Sequence, residues 1–227
     1  MFIPLHDDQP LKVIRFQWMT GALILLNTLL FLFTHLTAGG AAEQATLYFY
    51  GVVPIELVSN LPTAIDPLPE PLTLITYQFL HAGWLHLVAN MLFLWVFADN
   101  IEDAFGRISF LLFYVACGIG AALFYAFLTP ASDSPLIGAS GAVGGILAAY
   151  MLLYPRARIW ILLFMRLPLR IPALYVLASW FALQIIMLLL ATEEAAMVAW
   201  SAHVGGFATG FVLTIVLRSR LVVRTAP

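Results

Sequence analysis

Charge is what this chain has least of. Only 10% of its 227 residues are Asp, Glu, Lys or Arg, where a soluble domain carries roughly 25%. Hydrophobic residues make up 63%, so a water-exposed globule is excluded and a membrane is the expected solvent. Cysteine is nearly absent: Cys117 stands alone, which rules out an intrachain disulfide and a cysteine-based metal cage. It is expected to pack as a small hydrophobe. No concentrated basic patch accompanies the net charge of −2, so a nucleic-acid partner is not expected.

The apolar residues fall into long runs. A hydrocarbon core about 30 Å thick takes around 20 apolar residues per helical span. Spans are expected near 16–36, 82–100, 108–128, 138–154, 170–190 and 198–217, each bounded by Pro, Gly or charged residues. Asp7, Asp8 and Pro10 precede the first run, which is longer than a signal-peptide core, so this span is expected to remain in the mature protein. The absence of internal repeats and low-complexity linkers leaves one domain, 1–227, as an all-α bundle of six transmembrane helices.

Loops rich in Lys and Arg stay in the cytoplasm. Lys12, Arg15, Arg107, Arg156, Arg158, Arg166, Arg170, Arg218, Arg220 and Arg224 all fall on one side of the six-span arrangement, and the opposite loops hold carboxylates but no cation. Both termini are therefore expected to be cytoplasmic. The outer loop 37–81 carries Leu47, Tyr48, Phe49, Tyr50, Val52 and Val53 and should lie partly in the interfacial layer. A second interfacial piece is expected at Ile159–Met165, and Asp99, Glu102, Asp103 and Arg107 should form a solvated face. His81 reads as an interfacial hydrogen-bonding residue, His6 and His35 as tail and interface residues, and Trp84, Trp95, Trp180 and Trp200 as lipid-facing or belt residues.

Polar residues within a span are costly and point to function. Spans two, four and six run in the same direction and carry theirs near the same end: His86 and Asn90, Ser140, and His203. His86 and Asn90, four apart, share a helical face. Ser140 lies in Gly138-Ala139-Ser140-Gly141 at a helix start, where free backbone N–H groups and the helix dipole favour developing negative charge. Gly138, Gly141, Gly206 and Gly210 would let the fourth and sixth helices approach closely. A serine hydroxyl needs a neighbouring base to become a good nucleophile, and imidazole suits that role. Ser140 and His203 are placed for it, with His86, Asn90 and the Ser140 backbone N–H as oxyanion donors. Asp99, about 13 Å farther along the axis than Asn90, is too deep to serve as an acidic third member.

These residues resemble the rhomboid protease family in three runs: His81-Ala-Gly-Trp-Leu-His86-Leu-Val-Ala-Asn90, Gly138-Ala-Ser140-Gly141 and Ala202-His203-Val-Gly-Gly206-Phe-Ala-Thr-Gly210. The resemblance runs through the whole bundle. It implies an intramembrane serine endopeptidase that needs no metal or cofactor and takes transmembrane protein substrates in a lipid bilayer. It further implies a site near the extracytoplasmic face, here of a bacterial inner membrane, with the span at 170–190 and the loop at 191–198 as gate and cap. Two positions depart from the family: Leu72-Thr73 stands where many relatives have Trp-Arg, and Gly144 where some have a tyrosine packed on the histidine, so another residue must orient His203. Competing readings are a non-proteolytic member that binds transmembrane helices, a small transporter, and a zinc site from His81, His86 and His203.

Overall fold

The structure is a computed structural model describing residues 2–59, 68–190 and 199–221. Along the chain lie strand β1 (Phe2–Asp7), helices α1 (Trp18–Phe33), α2 (Gly39–Tyr50), α3 (Pro54–Ser59), α4 (Glu70–Thr76), α5 (Trp84–Phe105), α6 (Arg107–Leu128) and α7 (Ser140–Leu153), strands β2 (Arg158–Leu163) and β3 (Leu167–Pro172), and helices α8 (Ala173–Leu190) and α9 (Trp200–Leu217). Among the described residues five helical stretches, containing α1, α5, α6, α8 and α9, are long and apolar enough to cross a membrane. The fourth apolar run of the sequence, expected over 138–154, forms the shorter α7.

With 14 residues, α7 spans about 21 Å, less than the hydrocarbon thickness. It is also the most enclosed helix, buried without interruption from Gly141 to Tyr150. A helix apolar on every side must be surrounded, and here α5, α6, α8 and α9 surround it. The glycines explain how closely they come. A Cβ on Gly206 would overlap the Gly141 carbonyl, one on Gly210 the Gly145 carbonyl, and one on Gly145 the Cys117 sulfur. Cys117 is thus a fully buried packing residue of α6.

The end of α7 opposite Ser140 meets a feature absent from the all-α expectation. β1, β2 and β3 form an antiparallel sheet in that order, pairing Phe2 with Leu163 and Arg158 with Pro172. The segment expected to lie in the interfacial layer, Ile159–Met165, forms strand β2 and part of its turn, where Phe164 and Met165 take positive φ. Ile159 and Ile161 face the core. Their partner strand β1 comes from the very start of the chain, so no local pattern announced the pairing.

A second correction concerns Glu102 and Asp103, which are buried rather than solvated. Asp103 accepts the backbone N–H groups of Lys12, Val13 and Ile14 at 2.7–2.8 Å. Glu102 accepts those of Met19 and Thr20 and the Thr20 hydroxyl. The first N–H groups of a helix have no acceptor within it, and α1 has no cap of its own; a carboxylate from α5 supplies one. In the first long loop, Val52 and Val53 are fully buried against protein, and Val52 pairs with Leu136.

Candidate active site

Ser140 opens α7. Gly138 takes φ +114°, a conformation that suits glycine, and turns the chain into the helix start, where no side chain caps the free N–H groups. His203 lies in the first turn of α9, and Gly144, Gly206 and Gly210 bring α9 against α7. Ser140 Oγ and His203 Nε2 consequently stand 2.9 Å apart, within hydrogen-bonding distance. Both residues are half-buried, neither sealed in the core nor fully exposed.

His86 lies in the first turn of α5, its ring over Gly138: a Cβ there would come within 2.6 Å of it. Asn90, one turn on, is buried and donates one amide N–H to the His86 carbonyl at 2.9 Å, leaving the other N–H available. His81, expected to be a hydrogen-bonding residue, is packed inside the protein. It is 1% exposed, its ring 5.0 Å from that of His86, and neither of its nitrogens has a partner among the described residues. Burial, with His86 beside it, pulls its pKa down to about 3, so it is neutral at physiological pH. Among the described residues no three His, Cys, Asp or Glu side chains gather in a way that could hold a metal ion.

The described acidic residues lie elsewhere. Asp99 sits at the sheet end beside Asn100, Asp133 is exposed in a loop, and Glu193 and Glu194 fall outside the described residues, as does the expected cap at 191–198. The second nitrogen of His203 meets an amide instead: Nδ1 is 2.7 Å from Gln184 Oε1 on α8. Around the ring lie Trp180 and Trp200, each with its centroid 6.0 Å away, so these two are site residues and not simply lipid-facing ones. Beside Gly144, where some relatives carry a tyrosine, Trp180 reaches to 3.8 Å of the position a Cβ would take. The other departing pair, Leu72 and Thr73, lies in α4, with Leu72 exposed and Thr73 buried.

The roles of Gln184, Trp180 and Trp200 were not apparent from the sequence. The usable signal was the spacing of Trp180 and Gln184, four apart and hence on one face of an otherwise apolar helix, with Gln184 the sole amide of that run. Chemically, the arrangement offers a hydroxyl beside an imidazole, at a helix start with unpaired N–H donors, with a second histidine and an amide close by.

A family model described as the rhomboid domain matches residues 69–220. The chain is similar to RHOMBOID-like protein 12, mitochondrial, of Arabidopsis thaliana, 31% identical over 152 residues that cover 60% of this chain and 43% of that protein. It is similar to Rhomboid-like protein 11, chloroplastic, of the same plant, 37% identical over 78 residues, 34% of this chain and 28% of that one. It is also similar to Rhomboid protease GluP of Bacillus subtilis (strain 168), 33% identical over 133 residues, 58% of this chain and 24% of that one. The chain spans less than half the length of these relatives.

Proposed function

Since the chain belongs to the rhomboid family, we propose that it is a serine endopeptidase cleaving other membrane proteins in or near their transmembrane segments. The observation that carries this reading is the 2.9 Å approach of Ser140 Oγ to His203 Nε2. In the proposed reaction His203 Nε2 takes the hydroxyl proton as Ser140 Oγ attacks the scissile carbonyl. The negative charge that develops on the carbonyl oxygen is met by the Ser140 backbone N–H, His86 and the free Asn90 N–H. Collapse of the tetrahedral intermediate breaks the C–N bond, the proton on His203 passes to the leaving amine, and Ser140 holds the acyl group as an ester. Water, deprotonated by His203, then hydrolyses the ester and restores the serine.

The membrane arrangement belongs to the same proposal. α7 acts as a sixth span shielded by its neighbours, all ten basic residues lie on the cytoplasmic side, and the site opens toward the opposite face. The α8 helix and the segment after it serve as gate and cap. The protein is multi-pass. The expectation of a bacterial inner membrane gains no support from relatives named as mitochondrial and chloroplastic alongside a bacterial one.

Ser140→Ala and His203→Ala should each abolish cleavage of a reporter transmembrane substrate by the purified protein in detergent while leaving thermal unfolding unchanged. Wild-type turnover by either variant would overturn the mechanism. Stable capture of the substrate by wild type without cleavage would favour a helix-binding, non-proteolytic role.

A further inference from the structure

His203 has two ring nitrogens, and the reaction works only if the one facing Ser140 is free to accept a proton. In a neutral imidazole one nitrogen carries hydrogen and the other a lone pair, and the neighbours decide which. The neighbours here form a directional chain. The Trp180 carbonyl can only accept, and Gln184 Nε2 lies 3.1 Å from it, so the amide nitrogen faces Trp180 and the amide oxygen faces His203. An amide oxygen can only accept as well, so His203 Nδ1 must carry the hydrogen. Nε2 is then left with the lone pair, 2.9 Å from the Ser140 hydroxyl.

We infer that Gln184 is the positioning residue of the site: it holds His203 in the Nδ1–H tautomer and aims Nε2 at Ser140, while Trp180 packs on the ring in the space left by Gly144. The inference rests on the protease reading and adds a third member to its dyad. An amide suits this place because it fixes a tautomer without bringing an ionised carboxylate into the membrane interior. Both residues belong to α8, so the base is correctly oriented only while that helix is seated against α9. Gln184 is 3% exposed and is the last fully buried residue of α8 before its end at Leu190, whereas the lower part is held by Ala173, Val176 and Leu177. Phe181, stacked on Phe207 at 3.9 Å, lies between the two. The Gln184–His203 hydrogen bond is therefore the uppermost polar latch between α8 and the site.

The test compares wild type, Gln184→Leu and Gln184→Glu as full-length proteins in detergent. Gln184→Leu keeps the bulk of the side chain and loses the acceptor, and should lower kcat about tenfold to a hundredfold with KM within about twofold of wild type. Gln184→Glu retains an acceptor facing Nδ1 and should recover most of that loss. On the same samples, ¹⁵N spectra of labelled histidine at a pH where His203 is neutral should show it protonated at Nδ1 in wild type and as a mixture of tautomers in Gln184→Leu, a change that looser packing alone would not produce. Wild-type kcat in Gln184→Leu, an equal loss in both variants, or an unchanged tautomer would overturn the inference. If wild type itself cleaves nothing, the protease reading has failed instead, and the tautomer measurement still judges the role of Gln184.

Discussion

Gly206 shows how much one hydrogen atom decides. A methyl group in its place would overlap the Gly141 carbonyl, one residue from Ser140, and nothing on the backbone of α7 can yield. Gly206→Ala should push α9 away from α7, lower the thermal unfolding temperature in detergent and reduce turnover far more than it reduces expression; unchanged activity would mean that the helices need not touch there. Asn90→Ala removes one of the proposed oxyanion donors and should slow cleavage about a hundredfold to a thousandfold, less than loss of Ser140, as read from kcat with substrate in excess. At this scale the sequence was informative where polar residues recur at matched depth: Ser140, His203, His86 and Asn90 stood out against apolar spans. Gln184 stood out less, because a lone amide in a span has no meaning until the rotation of its helix is known. The burial of His81 was hidden for the opposite reason, since its position just outside a span says nothing about the protein packed over it.

The elements follow the same logic of shared burial. Apolar runs and bounding glycines made α1, α5, α6, α8 and α9 legible, and the all-round apolar character of α7 was legible although its shortness and enclosure were not. What was hidden depends on distant partners. Glu102 and Asp103 look like surface charges until the N-terminal segment folds back over α5 and presents five backbone N–H groups to them. Glu102→Ala should leave buried donors at the start of α1 unpaired and cost about 2–3 kcal/mol of stability, measurable as a lower denaturation midpoint. A shift within error would mean that α1 is capped some other way.

Strand β1 carries its own pH signature. Asp7 is buried beside Tyr150 and Asn100, each donating to its carboxyl, and burial raises its pKa above 3.8 despite the Tyr150 hydrogen bond. Folding therefore favours the protonated acid: this contribution is complete below the unfolded value and is lost as pH rises through the folded one. Thermal unfolding followed between pH 3 and 8 should show that decline in wild type, and Asp7→Asn should flatten it. An identical profile in the variant would place the titrating group elsewhere.

As a whole, the molecule is a bundle with two unlike ends. One end is tied by a three-stranded sheet and a pair of buried carboxylates, and the other gathers a hydroxyl, two imidazoles and two amides around the start of its most enclosed helix. The low charge and long apolar runs made the bundle readable, but the sheet was not, because its strands come from opposite halves of the chain and one of them resembles an interfacial segment. The separation suits the proposed reaction, because the sheet and the buried carboxylates tie the chain together away from the residues that would react. The central claim is that Ser140 is a nucleophile activated by His203, and covalent labelling of the folded protein by a fluorophosphonate, located by mass spectrometry, tests it most directly. A single adduct is expected on Ser140, disappearing in Ser140→Ala and falling sharply in His203→Ala. Undiminished labelling of Ser140→Ala, or of His203→Ala, would contradict that claim.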